Sequence, residues 1–240
     1  MSENLDPQEM NKPQPSQGPA IRALKQLPEV WMHMWHGRTT ELFSAIFAKP
    51  FFAWVVAGIY VVAYALPASL LMARYIPGPS AFASFNSPER LLGSLLFSEG
   101  HYFLMTFGEW FAVFLCLIIG TIASIALRVA TLMAVFIVRG AKISFVRGLT
   151  LYTVALAPVM VLFPILLLIA FLPLSKLMIF LMIVIGLLAV IASIFGELLL
   201  YVGINREAQM EKSPALPYAV ATVAWIVLSF TFSAMILPSF

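Results

Sequence analysis

The sequence predicts an all-α protein: a polytopic transmembrane helical bundle of five spans, N-terminus in the cytoplasm and C-terminus outside. Three observations carry that expectation. Apolar residues make up 62% of the 240 positions and charged residues only 10%, where a soluble domain carries roughly 25% charge. The apolar residues fall in blocks that can cross a bilayer core, which takes about 20 helical residues. Lysine and arginine concentrate on alternate loops between those blocks, which is the pattern of an odd number of spans.

Residues 1–27 read as a disordered polar tail, rich in Gln, Pro, Ser and Asn, with little to bury. There is no signal-peptide pattern, so the first span is expected to act as its own insertion signal. Residues 28–48 show helix periodicity with one apolar face, interrupted near Gly37. Trp31 and Trp35, one helical turn apart, are candidate interfacial anchors. The same face would serve equally to pack on the protein's own spans.

The membrane domain is expected over residues 49–240, with spans at about 51–73, 104–138, 150–172, 177–203 and 218–237. The first is free of charge between Lys49 and Arg74 and holds Pro67, where a kink is expected. In the long loop after it, Ser87, Pro88 and Glu89 are helix-start signals ahead of the apolar run 91–97, so a short outer-surface helix is expected there. The second block is over-long and contains Arg128, where the helix either continues or breaks. Pro158 and Pro164 fall inside the third span as candidate kink positions.

Charge sets the orientation. The tail and pre-membrane segment hold Lys12, Arg22, Lys25, Arg38 and Lys49; the loops at 139–147 and 205–216 add Arg139, Lys142, Arg147, Arg206 and Lys212. The other side holds Arg74, Arg90 and Lys176. Ten against three places the N-terminal side in the cytoplasm.

Charges within spans are costly and tend to face protein or water. Arg128 and Glu197 lie at similar depth, each about 15 Å or less from its helix end by helix rise, and form a candidate intramembrane ion pair. Small residues recur on the second span (Gly120, Ser124, Ala126, Ala130) and the fourth (Ala189, Ser193, Gly196), which predicts that these two spans pack together. Glu109, near His101 and Tyr102, reads as an interfacial carboxylate. His33 and His36 lie three apart and, even with Glu29, do not assemble a convincing metal site.

The stretch 139–158, RGAKISFVRGLTLYTVALAP, resembles the Yip-domain family, especially its bacterial branch. Gly140, Ser144, Phe145, Ala157 and Pro158 carry the resemblance, which extends over roughly residues 50–237. It implies a helical bundle acting through partners, with no enzymatic site. The acidic, aromatic DLYGP-type motif of eukaryotic members is absent, and with it the basis for a small-GTPase or vesicle-traffic role.

No zinc-protease or nucleotide-binding motif occurs, and all three histidines fall outside the spans, so no enzyme activity, cofactor or metal is expected. No basic run is dense enough for nucleic acid. The lone Cys116 reads as a small core hydrophobe. The expectation is a non-enzymatic multi-pass cell-membrane protein, an adaptor or organiser whose partners are the lipid bilayer and another protein or a second copy. The alternative is a small transporter or channel subunit with a path near Arg128 and Glu197.

Overall fold

The structure, a computed structural model, describes residues 18–38, 43, 51–75, 105–172, 176–207 and 212–236. These residues form helices α1 (Pro19–Trp35), α2 (Phe52–Tyr75), α3 (Phe107–Val138), α4 (Phe145–Met160), α5 (Leu162–Ala170), α6 (Lys176–Glu207) and α7 (Ala215–Ile236), with no strand among them. Four of them, α2, α3, α6 and α7, are each long and apolar enough to cross a membrane, and α4 with α5 makes a fifth crossing if that bent pair is one span. The expected short helix at 91–97 and most of the 1–27 tail lie outside the described residues.

Local chemistry explains most boundaries. Helix α1 starts at Pro19, inside the segment expected as a tail, because proline at the first helical position loses no hydrogen bond. Gly37 (φ +69°) and Gly140 (φ +73°) end α1 and α3 in the same way. In each, the glycine adopts the left-handed conformation and the next residue's N–H reaches back five positions, Arg38 to His33 and Ala141 to Phe136, at 2.9 Å. Helix α3 starts with a capping box: Thr106 accepts from the Glu109 amide while the Glu109 carboxylate accepts from the Thr106 amide at 2.8 Å. Glu109, expected as an interfacial carboxylate, is thus the capping partner of Thr106.

The over-long second block is one helix that runs unbroken through Arg128. Its 32 residues span about 48 Å by helix rise, more than the roughly 30 Å hydrocarbon core. Pro67 lies within α2 and does not end it. Where the third span is expected from 150, the bent pair α4–α5 begins at Phe145 and is broken at Val161 with a bend of 47°. Pro164 accounts for the break, since it has no N–H to offer the Met160 carbonyl and its ring crowds that group.

The core lies between α2, α3 and α4, with Val56, Val129, Leu132, Leu151 and Val154 fully buried. Helix α6 packs on α4 and α5, and α7 packs on α3. Close packing of the second span on the fourth, expected from their small residues, is not what the structure shows: α3 and α6 are not close neighbours. Gly196 faces α4 instead, where a Cβ would overlap the Ala155 carbonyl. Small-residue spacing marks a helix face for close approach without naming its partner.

Candidate intramembrane site

Arg128 and Glu197 meet. The Arg128 side chain is fully buried, and its Nη2 pairs with Glu197 Oε2 between α3 and α6. Burial of an arginine demands further acceptors, because desolvation otherwise outweighs the Coulomb gain. Helix α7 supplies them. Arg128 donates to Thr222 Oγ1 at 3.1 Å, and its Nη2 also contacts the Tyr218 hydroxyl at 3.1 Å. That hydroxyl donates to the Glu197 carboxylate. The Arg128 guanidinium also lies 4.8 Å from the Trp225 ring centre and 5.3 Å from that of Tyr218, which is cation–π range. The charge is therefore held by an anion, two hydroxyls and two aromatic rings.

Tyr218, Thr222 and Trp225 were not singled out by sequence reasoning, although a signal exists. Tyr218, Thr222, Trp225 and Ser229 recur at steps of four, three and four along an apolar span, which is one helix face. Thr121, Ser124 and Arg128 do the same on α3. The two stripes face each other as a polar seam: Ser124 and Ser229 hydroxyls are 3.1 Å apart, and the Trp225 indole donates to the Ser124 carbonyl at 3.1 Å. This seam holds α7 to α3, as interhelical hydrogen bonds do where hydrophobic burial cannot.

Behind the seam is a cavity of about 730 Å³. Its walls come from α2 (Tyr60, Tyr64), α3 (Cys116, Gly120, Thr121), α4 (Tyr152, Ala155), α6 (Ser193, Glu197) and α7 (Tyr218, Trp225). It extends for about 15 Å along α3 and α7 by helix rise. The walls are mostly apolar and aromatic. Among the described lining residues Glu197 is the one carboxylate, with its side chain 33% exposed. Oε2 is taken by Arg128 and Tyr218, whereas Oε1 accepts no hydrogen bond from any described residue. Gly120 opens onto the cavity with empty space where a Cβ would sit.

The remaining candidate positions lie mostly at helix ends and helix contacts. Gly140 ends α3, Ser144 caps α4 by accepting from the Arg147 amide, and the Phe145 ring lies 6.1 Å from Trp54 of α2. Pro158 sits in the last turn of α4, and Pro164 at the α4–α5 break. The last carbonyls of a helix lack an intrahelical partner; Trp31 donates its indole N–H to one of them, Ala157, at 3.1 Å, and Arg74 donates to another, Ala170. Trp31 thus anchors α1 to the bundle, whereas Trp35 is 90% exposed. A second ion pair, Arg147 with Glu207, joins the start of α4 to the end of α6. Among the described residues there is no group of three or more His, Cys, Asp or Glu that could hold a metal.

In comparisons with known proteins, no family model, curated protein or solved structure matches the chain.

Proposed function

We propose that the chain is a non-enzymatic, five-span membrane protein of Yip-like type, with its N-terminus in the cytoplasm, that binds a small ligand in its intramembrane cavity at Glu197. This is the carrier class. One observation carries the reading: a carboxylate with a free oxygen on the wall of a mostly apolar cavity, within the span and fixed by a buried arginine. Pockets that hold small molecules are on the order of 300–1,000 Å³, apolar, with a few placed polar groups. A charge at this depth serves structure alone at high cost, and a structural clamp needs no space beside it. The lysine and arginine asymmetry supports the orientation.

The test removes the polar anchor without removing the fold. Replacing a buried ion pair by apolar residues of similar size is often neutral or stabilising, so the double variant Arg128→Met with Glu197→Leu keeps the bundle. Solvent extraction of the purified full chain, followed by mass spectrometry, is expected to recover a retained small molecule from the parent and none from the double variant. Equal recovery from both, or none from the parent, overturns the reading.

The adaptor reading is favoured by a different region. Helix α1 buries Leu27 and Val30 against the bundle and leaves Ile21, Met32 and Trp35 exposed. Stable co-purification of one protein, lost on removing residues 19–38, would support it.

A further inference from the structure

The cavity wall includes residues of α6 and α7 that are exposed on the outside of the bundle. Helix α6 packs on α4 and α5 and helix α7 on α3, but α6 and α7 are not close neighbours. Between them runs a groove whose floor is α4, at Tyr152 and Ala155. Ile194 and Leu198 on α6 and Ile226 on α7 all line the cavity, and each is more than half exposed. A mouth rimmed by such residues at span depth opens to hydrocarbon. Across one end of this groove, the Tyr218 hydroxyl bonded to Glu197 and the Tyr201 ring 5.6 Å from that of Tyr218 tie α6 to α7.

Resting on the binding reading above, we infer that the ligand is an uncharged single-chain amphiphile that enters sideways from the bilayer through the α6–α7 gap. Its chain lies on the α4 floor, and its hydroxyl or amide head donates to Glu197 Oε1. Three observations select this class. The mouth is apolar, rimmed by exposed Ile194, Leu198 and Ile226 at span depth, so a solute entering it must be soluble in lipid. The groove is about 15 Å long by helix rise, room for an extended chain with its head at the carboxylate end. The Arg128–Glu197 pair is already neutral, so a charged head would leave one charge uncompensated in an apolar site, whereas a neutral donor satisfies Oε1 without that cost. A fatty carboxylate is disfavoured further, because it would place a second anion against Glu197.

The experiment uses the full chain in lipid nanodiscs with a diazirine-bearing monoacylglycerol as photoprobe. Labelling is expected on the α4 floor peptide around Tyr152 and Ala155. Unlabelled monoacylglycerol is expected to compete about tenfold better than palmitate, the least that a hydrogen bond to a charged group makes in affinity. Leu198→Trp narrows the mouth at an exposed position, so it leaves the core intact and is expected to abolish floor labelling. Equal competition by palmitate overturns the neutral class. Displacement by free glycerol, with labelling indifferent to Leu198→Trp, overturns the lipid class and lateral entry but leaves the cavity as a binding site. Labelling confined to lipid-facing positions such as Leu168 and Phe171, without competition, overturns the binding reading as well.

Discussion

Two Arg–Glu pairs among the described residues use the same chemistry in opposite settings. Arg147 and Glu207 join two helix ends: the guanidinium engages both carboxylate oxygens, and the arginine side chain stays 40% exposed. Arg128 and Glu197 meet within the span, with the arginine fully buried and the carboxylate at a cavity wall. The outer pair engages both oxygens of its carboxylate. The inner pair engages one oxygen of Glu197 and surrounds the arginine with Thr222, Tyr218 and Trp225, so the carboxylate is fixed in place and still half available. A clip engages both oxygens, whereas a binding site leaves one open.

The largest test of that contrast is Glu197→Ala. It strips the anion from a buried arginine, and breaking such a pair costs about 3–5 kcal/mol. Thermal unfolding in detergent should drop sharply for this variant and recover in the double variant Arg128→Met with Glu197→Leu. Similar stability for Glu197→Ala and the parent would remove the inner pair from the account. A smaller loss, about 1–3 kcal/mol for an overpacked contact, is expected for Gly196→Val, because its Cβ would meet the Ala155 backbone rather than a side chain that can move. Tyr218→Phe removes a hydroxyl that bonds both members of the inner pair, so its loss is expected to exceed that of Arg147→Gln, at about 1.5 kcal/mol for a hydrogen bond to a charged group, and to be insensitive to salt. For Arg147→Gln the expected loss is below about 1 kcal/mol, and it should shrink further in high salt, since this pair is partly exposed.

Much of this architecture is legible in the sequence because the bilayer imposes simple rules. Charge-free blocks announce spans, and the Arg128 and Glu197 pair can be proposed because charges are rare enough at that depth to be matched by helix rise. The cavity is not legible. It depends on which faces are left unpacked, and Gly196 reads the same whether it abuts α3 or α4. The α7 partners, by contrast, were within reach: Tyr218, Thr222, Trp225 and Ser229 form a single stripe, obscured only because tyrosine and tryptophan score as apolar. Gly140, Ser144 and Phe145 stand out as a motif, and their geometry explains them as a helix stop, a helix cap and a ring contact.

The most direct measurement of the central claim compares the cavity with the outer pair. Gly120→Phe places a ring where the cavity is empty, with nothing near its Cβ, and Arg147→Gln opens the outer clip. Both proteins are purified from native membranes and their retained small molecules quantified by mass spectrometry. The account predicts that Gly120→Phe loses the retained ligand while remaining folded, and that Arg147→Gln keeps it. Equal retention by the two, at whatever level, would contradict it.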